Sequence, residues 1–395
     1  MSTLNDFLKN IEFVKAAPNG MVARLLLAFL ATAGLFYVNI MPAIIDGLVE
    51  GLGFTNKEAG LVGSSNMYGA AVGALLIVFL IRKINWRIAA WSFLITLIAI
   101  DTISIFLSDV QVLISIRFIH GFVGGMLVGT GFAVIARTSQ PDRTFGMLLV
   151  VQYGLGGLGM GVLPLIVPYM GTSILFMTLI GFSLITLLML PFIDNYSLEK
   201  NNDHELKEQS EVKIYLLLFT FLALFLFQAA NMGLYVYIIG LAKSFGLVSS
   251  FISPVLLAAA WVGVIGSLLV VIFSTRYGRF LPITLGMVLT LIGTWVLHYS
   301  GSHLAFIFAN CAVGITWAFI IAYLLGMSAA FDKQGSMAAL GGFASKMGLA
   351  SGPFVAALIV GEDNYSLLIN MALLLIFISM VAAMIPAMYL DRNKN

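Results

Sequence analysis

The sequence predicts an all-α membrane protein: twelve transmembrane helices in two six-helix halves related by a pseudo-two-fold. Three observations lead there. First, 61% of the 395 residues are hydrophobic and only 10% are charged, a balance that would leave a water-soluble domain with large bare apolar patches. Second, apolar runs of about eighteen residues or more, the length a helix needs to cross hydrocarbon, recur about twelve times. Third, the longest polar stretch, Asn195 to Lys213, follows the sixth run and divides the chain into two matching parts.

In chain order, residues 1–21 form a cytoplasmic N-terminal segment. Asp6, Lys9, Glu12 and Lys15 interrupt any signal-peptide core. Leu4, Phe7, Leu8, Ile11 and Val14 recur at helical spacing, which suits an amphipathic helix on the inner leaflet as well as it suits a frayed polar end. The first half, 22–194, holds spans near 22–48, 58–81, 88–108, 111–137, 145–169 and 172–194. A linker at 195–212 has mixed, clustered charges and reads as a solvated connection. The second half, 213–390, holds spans near 213–242, 250–274, 281–299, 303–330, 337–360 and 366–390, followed by a tail at 391–395.

Charge sets the expected orientation. Lys9, Lys15, Arg24, Arg82, Lys83, Arg87, Arg137, Arg143, Lys200, Lys207, Lys213, Arg276, Arg279, Lys333, Arg392 and Lys394 all fall on one side of this layout, whereas only Lys57 and Lys243 fall on the other. The positive-inside rule then puts both termini in the cytoplasm, and the compact loops suit a bacterial inner membrane. The halves also echo each other. Arg82-Lys83-Ile84-Asn85-Trp86-Arg87 follows the second span and Thr275-Arg276-Tyr277-Gly278-Arg279 follows the eighth, as an internal duplication requires.

These features resemble the major facilitator superfamily over essentially the whole chain. That family's turn motif is Gly-x-x-x-Asp-Arg-x-Gly-Arg-Arg. The turn at 275–279 keeps its Arg-x-Gly-Arg part but has Thr275 at the acid position; in the first half Arg82 takes the acid position and Asn85 the glycine. The fourth-span motif Arg-x-x-Gln-Gly-x-Gly is similar to Arg117-Phe118-Ile119-His120-Gly121, with His120 in place of Gln. Gly154, Gly156, Gly157, Gly159 and Gly161, ahead of Pro164, resemble the glycine-rich fifth-span motif of antiporters, without its Gly-Pro pair. The resemblance implies alternating access by rocking of two halves about a midplane site. It also implies that spans one, four, seven and ten line the cavity, and that Arg82, Lys83, Arg276 and Arg279 take part in gating.

Ionisable groups at depth are the candidates for chemistry, because a charge in hydrocarbon is costly unless it meets protein, water or a partner. Arg117 lies about 9 Å below the outer end of span four at ~1.5 Å per residue. There it would clamp a carboxylate or phosphate, or else snorkel to the outer headgroups. His120, one turn deeper, suits proton transfer or a neutral structural bond. Asp101 of span three reaches the same depth, so an Asp101–Arg117–His120 cluster is expected, either exchanging a proton or fixing two helices statically. Lys346 of span eleven has no acid at its depth in the second half; it either meets an anionic cargo or sits at the inner interface.

Neutral polar stripes complete the expected substrate set: Thr32, Asn39 and Asp46 on span one, Gln228, Asn231 and Tyr235 on span seven, and Asn310, Gly314 and Trp317 on span ten. Gln152 of span five is an additional cavity candidate. Asp46 is close enough to the outer end to be read as solvated. Pro42, Pro164 and Pro353 are expected to mark kinks.

The expected function is a proton-coupled secondary transporter of a small organic anion bearing a carboxylate or phosphate, with Asp101 and His120 coupling to protons. The alternative is a proton-driven efflux antiporter for hydrophobic or cationic compounds, which the thirty Phe and nineteen Met would suit. A nucleotide-binding loop, a metal-ligand cluster and a nucleophile–base set are all missing from the sequence, and Cys311 stands alone. No cofactor, no enzymatic role and no nucleic-acid partner are therefore expected. The expected partners are the small-molecule substrate, protons and the lipid bilayer, with the protein a monomer.

Overall fold

The computed structural model describes residues 15–18, 20–81, 83–196, 214–273, 276–331, 336–361 and 364–392. The N-terminal amphipathic pattern, the linker from 197 to 212, Arg82 and Thr275 lie outside them. Among the described residues, eleven helices are each long and apolar enough to cross a bilayer. The remaining crossing, span one, is assembled from Met21–Ala33, Phe36–Asn39 and Met41–Leu52.

Span one is thus broken where the sequence suggests continuity. The interruptions fall at Gly34-Leu35 and at Ile40, and Pro42 sits in the first turn of the last piece, where its missing N–H costs nothing. Span seven breaks likewise, between Ile214–Val236 and Ile238–Ser244, around Tyr237. The other spans are Asn56–Leu80, Trp86–Ser104, Val110–Ile135, Pro141–Met170, Ser173–Met189, Ser249–Phe273, Phe280–Val296, His303–Ala330, Ser336–Val360 and Tyr365–Arg392. Pro164 and Pro353 lie inside continuous helices, as do Pro168, Pro254 and Pro386.

Helix contacts express the duplication directly. Span two packs on span four as eight packs on ten; one on five as seven on eleven; three on six as nine on twelve; three on four as nine on ten. The halves meet through spans five and eight and through spans two and eleven, pairs that exchange when the halves are swapped. The architecture is therefore two six-helix halves related by pseudo-symmetry.

Glycine fixes the tightest of these contacts. A Cβ at Gly69 or Gly73 of span two would strike the backbone carbonyl of Phe118 or Phe122, and one at Gly121 or Gly125 of span four would strike that of Asn66 or Ala70. Only hydrogen fits on either side, so the two backbones touch.

At the end carrying the termini, each half is tied by matching contacts. Trp86 Nε1 at the start of span three donates to the Tyr196 carbonyl beyond span six at 3.0 Å, and Tyr196 Oη donates to the Pro18 carbonyl at 2.8 Å. In the second half, Asp391 at the end of span twelve accepts the N–H groups of Arg279 and Phe280 at 2.8 and 2.9 Å. Asp391 thus supplies, from the far end of the sequence, an acid to the turn whose motif position holds Thr275.

Candidate functional site

The most deeply buried ionic group lies between spans three and four. Arg117 Nη1 donates to Asp101 Oδ1 at 2.7 Å, and neither side chain has exposed surface. Arg117 Nη2 also donates to Ser104 Oγ. The guanidinium lies 5.1 Å from the ring centre of Phe176 and 5.9 Å from that of Tyr37, aromatic faces that favour a buried cation. Arg117 therefore neither snorkels nor opens onto a cavity in this conformation: both of its Nη groups are directed at span three, and its Nε has no hydrogen-bond partner among the described residues.

His120 joins the same cluster. Its Nε2 is 3.3 Å from Asp101 Oδ2, within charge contact but off the line of a hydrogen bond, so that oxygen has no hydrogen-bond partner among the described residues. Asn66 Nδ2 donates to the Arg117 carbonyl at 3.1 Å and lies 2.8 Å from His120 Nδ1. A carbonyl can only accept, which fixes which end of the amide is nitrogen. His120 Nδ1 is then the acceptor, and its ring proton sits on Nε2, facing Asp101.

The cluster expected from helix depth is thus assembled, with three members that the sequence reading missed: Asn66, Ser104 and Tyr37. Asn66 carries a recognisable signal, a polar side chain mid-span, and so does Ser104, a polar residue one turn beyond Asp101 on the same helix. Tyr37 carries none, being one aromatic among many.

A second polar group lies in the other half. Trp317 Nε1 donates to Gln228 Oε1 at 2.7 Å, and Gln228 Nε2 donates to Ser345 Oγ at 2.9 Å. Tyr153 of span five reaches across and meets Trp317 edge-on, with ring centres 6.4 Å apart. Lys346 follows Ser345 directly. It is half-buried and has no ion pair or hydrogen bond among the described residues. Of the exposed apolar residues of span eleven, Val355 lies opposite Lys346, Leu340 and Leu358 about 120° around from it and Phe354 about 80°, at about 100° per residue. Lys346 therefore projects away from the lipid-facing side.

The other expected site residues divide. Tyr235 Oη donates to the Asn39 carbonyl at 3.0 Å, joining spans one and seven. Asn39 Nδ2 is buried without a hydrogen-bond partner among the described residues. Asn231 and Asn310 turn back to carbonyls of their own helices, Phe227 and Phe306. Gln152 is half-buried, and Lys83 and Arg276 are exposed on their turns.

Asp46 is not solvated. Lys243 Nζ donates to both of its carboxylate oxygens at 2.8 and 2.9 Å and to Glu50 Oε1 at 2.6 Å, joining the halves at the end away from the termini. Tyr237 Oη donates to the Asn56 carbonyl at the same end, at 2.7 Å. Further inter-half bonds lie deeper, between Tyr68 Oη and Ser351 Oγ at 2.9 Å and from Trp261 Nε1 to the Gly154 carbonyl at 3.3 Å.

Two pseudo-symmetric helical halves in lipid, with polar groups converging between them and inter-half bonds gathered toward one end, define a membrane transporter. A family model for the Major Facilitator Superfamily matches residues 25–353, and the chain belongs to that superfamily. Among solved structures, it is similar to a mutant form of the nucleoside transporter NupG, with a TM-score of 0.71 at 14% identity, covering 92% of this chain and 98% of that one. That likeness is one of fold. No curated protein matches the chain by sequence.

Proposed function

We propose that this protein is a proton-coupled secondary transporter of a small organic anion, working by alternating access from a cytoplasm-facing conformation. The observation that carries the reading is Lys346: an ammonium on the non-lipid side of span eleven, without an acid partner among the described residues. A cation within the membrane span without a counter-charge is costly, and an anionic cargo supplies that charge when it binds. Arg117 then serves the proton site and not the cargo, because Asp101 already occupies it.

With the termini in the cytoplasm, the Lys243–Asp46–Glu50 and Tyr237–Asn56 contacts lie on the outer side and seal it. Asp101 Oδ2, the carboxylate oxygen without a hydrogen bond, is the site for the coupled proton, with His120 Nε2 beside it. Neutralising Asp101 would loosen its hold on Arg117 and alter the packing of span four.

Counterflow in proteoliposomes tests this function. Labelled benzoate or citrate should exchange in the wild type and lose exchange in Lys346→Met. Uridine, an uncharged nucleoside of the class for which the structural neighbour is named, serves as the contrary probe. Uridine exchange that is insensitive to Lys346→Met, with no anion exchange, would remove the anion reading.

A further inference from the structure

The geometry points to a cargo that carries a flat aromatic ring beside its negative charge, recognised by the faces of Trp317 and Tyr153 with Lys346 taking the charge. This rests on the anion reading above and narrows it.

Gln228 is almost fully buried, 2% exposed, and both ends of its amide are engaged, one by the Trp317 indole N–H and the other by the Ser345 hydroxyl. With a partner at each end and so little exposed surface, that amide is turned to protein and not to cargo. Its effect is to hold an indole in one orientation. Trp317 remains half-buried, and with its only donor consumed it has just its ring surface to offer. A face of this kind attracts another ring or a cation. On the anion reading, Lys346 disfavours a cationic cargo, and that leaves the ring.

Tyr153 adds an element from the opposite half. Its ring stands 77° to the indole, so the two rings form a corner whose walls belong to different halves. A flat ligand seated there would touch both and sense their relative position. Purely aliphatic anions would leave this aromatic surface unused.

Benzoate and cyclohexanecarboxylate, nearly equal in size and identical in charge, isolate the aromatic contribution. Binding of each to the purified full-length protein would be measured by calorimetry, in the wild type and in Trp317→Leu, Trp317→Phe and Lys346→Met, with thermal midpoints recorded for each. Benzoate is expected to bind about two- to tenfold more tightly than cyclohexanecarboxylate. That preference should vanish in Trp317→Leu and persist in Trp317→Phe, while Lys346→Met weakens both acids alike. Equal affinity for the two acids in the wild type overturns the aromatic inference and leaves the anion reading standing. Binding of neither acid, or binding indifferent to Lys346→Met, overturns both.

Discussion

Arg117 of span four and Asp101 of span three share a 2.7 Å charge-assisted bond with no exposed surface on either side chain. Breaking such a pair strands a charge, whereas deleting both members strands none. Asp101→Asn should therefore cost about 3–5 kcal/mol, read as a lowered thermal midpoint in detergent. Asp101→Asn combined with Arg117→Gln should recover most of that loss. If the double variant were as unstable as the sum of the two single variants, the pair would not be acting as a unit.

His120 faces Asp101 through Nε2 and Asn66 through Nδ1. His120→Gln keeps an amide donor toward Asp101, and His120→Ala does not. In proteoliposomes, both should retain counterflow of the anion, which needs no net proton movement. Both should lose accumulation driven by an imposed pH gradient, by about tenfold or more, the scale of a lost general acid–base group. A His120→Ala variant that accumulates cargo normally would take His120 out of the coupling.

The Lys243 seal makes a prediction about pH. Burial alone would push the Lys243 ammonium down, but the Asp46 and Glu50 carboxylates outweigh it and hold its pKa above the ordinary lysine value of 10.5. A raised lysine pKa gives a contribution that is complete below 10.5 and is lost as pH climbs through the higher folded-state value. Spin-label distances between the far ends of spans one and seven should thus stay fixed from neutral pH to that value and lengthen only beyond it. Lys243→Ala should lengthen them at neutral pH, and a Lys243→Asp/Asp46→Lys exchange should shorten them again.

Glycines offer an internal control. At Gly121, an added methyl would strike the Asn66 carbonyl, a fixed backbone atom; at Gly146 and Gly154 it would meet nothing within 4 Å. Gly121→Ala should lower the thermal midpoint by an amount matching an overpacked core site, about 1–3 kcal/mol. Gly146→Ala should leave it within experimental error.

Much of this organisation is legible in the residues. Apolar run length marks the spans to within a few residues, and counting rise along spans three and four brings Asp101, Arg117 and His120 to one depth without any knowledge of contacts. Asp46 reads wrongly as solvated because its partner, Lys243, lies 197 residues away in sequence, and helical periodicity is silent about contacts between halves. The breaks in spans one and seven stay hidden for a related reason. Gly34 and Tyr237 are ordinary in an apolar run; Gly34 packs against the Gly124 carbonyl of span four and Tyr237 bonds to Asn56 of the other half, contacts that run length does not encode. The inward direction of Arg117 follows from its helix face, but the bonds of its two Nη groups to Asp101 and Ser104 depend on side-chain reach that spacing does not encode.

The methyl-free contact between spans two and four carries one more consequence. Asn66 rides on one of these helices and His120 on the other, and with their main chains pressed together neither can slide past its neighbour. The amide and the imidazole must travel as one rigid block whichever way the carrier leans. Ionic state would then be conveyed intact across the bilayer, and what alternates would be which compartment's water wets it.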